Sequence, residues 1–151
     1  MKQISVVTCA AVVIGLLGIA HAQFGKPEDA IQYRKSAMSL MGHHFKGMAM
    51  VVKGQRDYDR EGFSREATLF ETLSKLPWEA FAVEGSDKGD TTMTAAALKN
   101  PDAFREETRR FEDAVGAYIQ AAESGNLDAI RNTFGRVAKS CKSCHEAFRK
   151  K

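Results

Sequence analysis

Five residues near the end of the 151-residue chain carry its most specific chemistry: Cys141-Lys142-Ser143-Cys144-His145. On a helix, residues three and four apart share a face. Two thiols at that spacing can point at one flat porphyrin and add across its two vinyl groups. An imidazole four residues after the first thiol then reaches iron held in the same macrocycle. Cys-x-x-Cys-His is the attachment sequence of a c-type haem. A redox dithiol more usually opens a helix in a βαβ chain. A zinc site needs more ligands than the two other His that remain once a leader is removed. The motif therefore points to haem c, one per chain, bound through two thioether links at Cys141 and Cys144, with His145 as the iron ligand.

The elements that position this motif begin after a leader. Residues 1–22 read as a signal peptide: Lys2, a mostly apolar run from Ile4 to Ile19, and the small-x-small site Ala20-His21-Ala22. The run is short for a membrane span, which needs about 20 apolar residues. Cys9 lies inside it and is expected to leave with it. Residues 23–151 then form one exported domain, free of the membrane after cleavage. Its charge is near balance, and no basic block marks a nucleic-acid partner.

Four amphipathic helices follow. Pro27-Glu28-Asp29 opens the first, with proline early and acids where the helix dipole favours them. Its stripe runs Ile31, Arg34, Met38, Met41, Phe45, Met48, Val52, apolar except for Arg34, and Gly54 ends it. Arg34 either snorkels from a bundle end or meets an anion, for which its fork is suited. The second helix is expected from about Asp59 to Leu76, with Phe63, Ala67, Phe70 and Leu73 inward, widened by Leu69 and Leu76. Pro77 stops it. Residues 77–100 form a long connection, with Trp78 and Phe81 expected to pack back on the bundle and a short helical turn within Thr94 to Leu98.

Asn100-Pro101 reads as an N-cap and first helical residue. The third helix carries Phe104, Thr108, Phe111, Val115, Tyr118 and Ala122 on one face and ends at Gly125. Asn126 caps the fourth, whose stripe is Leu127, Ile130, Phe134, Val137, Cys141, Cys144 and Phe148. The cysteines share the core face, so the haem inserts among the helices. The pattern predicts an all-α fold, an antiparallel up-down-up-down four-helix bundle. That order places Arg34 and Met38 against the helix bearing the motif.

With these elements in place, the chain resembles the cytochrome c′ family of bundle-type periplasmic c-haem proteins. The resemblance rests on Gln23 to Ala30 with Tyr33-Arg34, Val51 to Gln55, Leu76-Pro77-Trp78 and Cys141 to Lys150. It implies that Arg34 binds a haem propionate, with Lys35 near a propionate. It places Asp90 in the loop that approaches the haem, Met38 over the distal face, and Arg149 beside the proximal His145. Arg149 is four positions on from His145, in agreement with helical spacing. Many relatives carry a tryptophan shortly before the third helix, where this chain has Thr94-Ala95-Ala96-Ala97-Leu98.

The function expected is a non-enzymatic haem protein with five-coordinate, high-spin iron that binds nitric oxide and carbon monoxide and exchanges electrons with redox partner proteins. The alternative is a low-spin electron carrier with Met38 as sixth ligand. A peroxidase is disfavoured, because His43 and His44 are adjacent and lie more than a turn beyond Met38. A weaker apolar line on the first helix, Leu40, His44, Gly47 and Val51, together with the family's habit, implies a homodimer through the first and second helices.

Overall fold

The computed structural model describes residues 23–150. Residues 1–22, with the expected leader and Cys9, and Lys151 lie outside the described residues. The chain forms α1 (Pro27–Val52), α2 (Arg60–Ser74), a 3-10 turn (Glu79–Phe81), α3 (Ala96–Lys99), α4 (Pro101–Ser124) and α5 (Leu127–Phe148). The four long helices make an antiparallel bundle. Helix α1 packs on α2 and α5, α2 on α4, and α4 on α5. The single turn α3 stands where a short helical turn was expected.

Local rules set most helix ends. Pro27 starts α1 with Glu28 and Asp29 in the first turn, and Gly54 leaves it with φ 69°. The Asp59 carboxylate accepts from the Gly62 N–H at 3.0 Å, so Asp59 is the cap of α2 and not its first residue. Helix α2 ends at Ser74, short of the expected Leu76. Pro77 explains this, since its ring crowds the carbonyl four residues back and biases the residue before it away from helical angles. Asn100 precedes Pro101 as expected, but its side chain makes no capping bond. Asn126 does cap α5, accepting from the Asp128 and Ala129 N–H groups at 3.0 Å. Gly125 takes the left-handed conformation, φ 72°, that lets α4 turn into α5 within two residues.

The core runs through the bundle along Met48, Phe63, Phe70, Phe111, Tyr118, Ile130 and Phe134. Phe45 of α1 stacks on Phe134 of α5, with ring centroids 4.1 Å apart and planes 5° from parallel. Two expectations fail here. Leu69 faces outward, 42% exposed, because the stripe of α2 is narrower than the leucines suggest, and Leu76, 40% exposed, lies beyond the helix end. Val51, placed on the outer line of α1, is buried in the core.

The long connection is ordered by two attachments. Arg34 holds its middle, as described below. Its end pairs with the chain terminus: Met93 forms an antiparallel bridge with Arg149, the Thr94 N–H donates to the Phe148 carbonyl at 2.8 Å, and the Lys150 N–H donates to the Thr92 carbonyl at 2.7 Å. Met93 and Ala97 pack there against Phe104 and Phe148 in a second apolar cluster that Trp78 joins to the first. The absence of a tryptophan before α4 thus does not leave the connection loose. Helix α5 ends at Phe148, and Arg149 is its extended cap residue, φ −114° and ψ 136°, whose N–H still donates to the His145 carbonyl one turn back at 3.1 Å.

Candidate haem site

A cavity of about 650 Å³ opens between α1, α4, α5 and the connection. This is within the roughly 300–1,000 Å³ of cofactor pockets. Cys141, Cys144 and His145 border it from α5, Met38 and Phe45 from α1, and Phe104 and Phe111 from α4. Arg34, Lys35 and Arg149 also line it. Asp90 does not. Its side chain is 93% exposed and pairs with Lys35, Nζ to Oδ2 at 2.5 Å. The structure therefore gathers seven of the sequence-derived site residues around one space and leaves Asp90 on the outer side of Lys35.

The thiols are free and half-buried. Burial pushes both pKa values up. Cys144 rises to about 11, with the Glu107 carboxylate and Cys141 adding to the effect of burial. A redox dithiol relies on the opposite shift, because the thiolate is its nucleophile. Among the described residues, no three His, Cys, Asp or Glu side chains gather as a metal cage, which a four-ligand zinc site requires. Desolvation, helped by the charge of Arg149, lowers the His145 pKa. Both effects favour the neutral imidazole, the form with a lone pair to donate. Two thiols and a neutral imidazole on one helix edge, facing a mostly apolar cavity, fit a covalently held haem.

Arg34 is 3% exposed. Its Nη1 donates to the Ala80 carbonyl and the Ser86 hydroxyl, both at 2.8 Å. Its Nη2 donates to the Ser86 carbonyl at 2.5 Å and the Thr91 hydroxyl at 2.8 Å. The guanidinium carbon lies 5.0 Å from the centroid of Phe81. Arg34 is thus no snorkelling residue. It pins the connection to α1, and its flank borders the cavity. Burial lowers its pKa, partly offset by Asp87.

Met93, Thr92 and Glu107 are among the lining residues that the sequence pattern did not single out. Met93 is buried by a contact that only the bridge creates. Thr92 is placed by the same pairing. Glu107 had a local signal: it lies three residues after Phe104 and four before Phe111, on the buried face of α4.

Comparison with known proteins agrees with this geometry. The family described as cytochrome c′ matches residues 29–149. The chain is 44% identical over 131 residues to the cytochrome c′ of Alcaligenes xylosoxydans xylosoxydans, covering 85% of this chain and 99% of that protein. It is 36% identical over 130 residues to that of Rubrivivax gelatinosus, covering 85% and 100%. The solved nitric oxide complex of a variant of Alcaligenes xylosoxidans cytochrome c prime superposes with a TM-score of 0.81 at 41% identity, covering 85% of this chain and 99% of that one. A carbon monoxide-bound variant of the same protein gives 0.81 and 41%, covering 85% and 100%. With a family match over residues 29–149 and 44% identity across nearly the whole of a relative, the chain belongs to the cytochrome c′ family.

Proposed function

We propose that residues 23–151 form a periplasmic haem c protein with five-coordinate iron, which binds nitric oxide and carbon monoxide and takes part in one-electron transfer. The observation that carries the proposal is the mostly apolar cavity that Cys141, Cys144 and His145 border from α5 and Met38 from α1. A c-type haem supplies an iron that takes up a diatomic gas and exchanges one electron. The protein's own residues do the rest. Cys141 and Cys144 hold the group by thioethers, and His145 offers a neutral imidazole. Lys35 and Arg149 supply cations for the propionates at the rim, together with whatever part of the Arg34 fork the connection leaves free. Met38 and Phe45 keep water from the far side. That side is poor in hydrogen-bond donors, which favours nitric oxide and carbon monoxide over oxygen, since oxygen gains from a donor there.

A homodimer through α1 and α2 is part of the same reading. His44 Nδ1 and Glu66 Oε1 meet at 2.7 Å between these helices. Leu40, 49% exposed, lies one turn from His44, and exposed Leu69 lies one turn from Glu66. In antiparallel helices these leucines fall on the same side of the pair, which supports an apolar contact surface.

Two measurements test the proposal. Denaturing mass spectrometry should find one haem on the mature chain, and haem lost to acid-acetone would reject covalent attachment. Optical spectra should show high-spin ferric and ferrous iron that takes up carbon monoxide. A low-spin ferrous spectrum that ignores the gas would reject five-coordination and favour Met38 as a ligand.

A further inference from the structure

Glu107 is a carboxylate with two unlike sides. Its Oε1 accepts from Arg110 Nη1 at 2.9 Å near the surface. Its Oε2 is shut away from solvent and has no hydrogen-bond partner among the described residues. The side chain as a whole is only 14% exposed. It lines the cavity beside Phe104 and Phe111, and its charge is felt at Cys144. Burying a charged oxygen without a partner is costly unless something compensates it. Arg110 cannot do so alone, because it also donates through Nε to Glu106 at 3.0 Å. A positive charge held in the cavity that Glu107 lines would supply further compensation.

We infer that Glu107 is a potential-setting residue, a fixed negative charge that favours the oxidised, more positive state of the group held by Cys141 and Cys144. This rests on the haem reading above. Reduction adds one electron to the ferric site from the electrode or partner that supplies it, with no bond made or broken. A neighbouring anion opposes that step by Coulomb repulsion of the added charge. Burial keeps the interaction strong, since buried charges are screened little by salt.

The test is a mediated electrochemical titration of the purified haem protein and its variants, with haem mass and ferric spectrum recorded on each. Glu107→Gln keeps the shape and removes the charge. Its potential should rise, by an amount approaching a tenfold shift of the ferric–ferrous equilibrium, about 59 mV for one electron. Glu107→Asp should restore part of the low potential. Glu106→Gln, which alters an exposed carboxylate on the same arginine, should leave it unchanged. Arg110→Gln, which leaves Glu107 charged and uncompensated, should lower it and serves if Glu107→Gln fails to accumulate. The shift should persist at 1 M salt. An unchanged potential in Glu107→Gln with its haem attached overturns the inference. So does a shift equalled by Glu106→Gln, lost in salt, or accompanied by a changed ferric spin state. Absence of covalent haem from the unmutated protein would instead overturn the reading on which the inference rests.

Discussion

Replacing Arg34 by Met removes the pin of the connection while keeping an apolar stem of similar reach. The guanidinium makes four hydrogen bonds to Ala80, Ser86 and Thr91. Hydrogen bonds to charged groups contribute about 1.5–3 kcal/mol each, so the gross loss is roughly 6–12 kcal/mol. Taking a guanidinium out of water costs several kcal/mol, and the variant is spared that. Two carbonyls, of Ala80 and Ser86, are left seeking partners at about 1–3 kcal/mol each. Stacking on Phe81 is lost as well, about 0.5–1 kcal/mol. Removing one member of a buried charged network costs about 3–5 kcal/mol as a rule, large against a domain stability of about 5–15 kcal/mol. Denaturant unfolding measures it, and hydrogen exchange localises it. Amides of residues 79–93 should lose protection first, with the bundle holding. Ser86→Ala, which removes one hydroxyl acceptor, should cost about 1 kcal/mol and couple to Arg34→Met in a double-mutant cycle. A loss under about 1 kcal/mol, or unchanged protection over 79–93, would show that the connection is held by its apolar contacts and refute the reasoning.

Gly125→Ala should destabilise by about 1–2 kcal/mol in thermal or denaturant unfolding. The new residue must hold φ 72°, and its Cβ would meet Arg60 Nε at 2.7 Å. Tyr118 is fully buried, with its hydroxyl donating to Met48 Sδ at 2.9 Å. Burial, with Glu66 and Tyr58, raises its pKa. The unfolded chain therefore releases the tyrosine proton before the folded one does. Stability should fall above about pH 10 by up to about 1.4 kcal/mol per pH unit. Tyr118→Phe should flatten that alkaline slope, and an unchanged slope would exclude Tyr118 as its source. Met38→Ala should speed carbon monoxide binding in flash photolysis if Met38 covers the iron, and an unchanged rate would show that it does not.

What was legible in the sequence obeys rules that act within a few residues. Asn126 caps, Gly125 turns and Pro77 stops through local geometry, and each does so in the structure. The stripe that places Cys141 and Cys144 on the core side of α5 is likewise a matter of spacing. What stayed hidden depends on partners far along the chain. Nothing near Arg34 announces Ser86 and Thr91, and nothing near Arg149 announces its bridge to Met93. Leu69 and Leu76 misled because an apolar residue is no guarantee of burial. Glu107 sat on a readable face, but a charge there conflicts with the apolar rule for such positions, and its use depends on the cavity beyond it.

The two attachments of the connection also bear on the order in which the molecule assembles. Helices α4 and α5 are neighbours joined by a two-residue turn, so their pairing closes almost no loop. The Arg34 contacts with Ser86 and Thr91 span 52 and 57 residues, and Lys150 Nζ reaches the Thr91 carbonyl across 59. Closing loops of that length costs entropy before any contact repays it. The hairpin bearing Cys141 and Cys144 can therefore exist while one wall of the cavity is still open. In such a chain the thiols are reachable by a large planar group, whereas in the finished fold they are half-buried and Met93, Phe104 and Phe148 pack beside Cys144. In folding kinetics, substitutions at Ser86 and Thr91 should then speed unfolding and leave the folding rate nearly untouched.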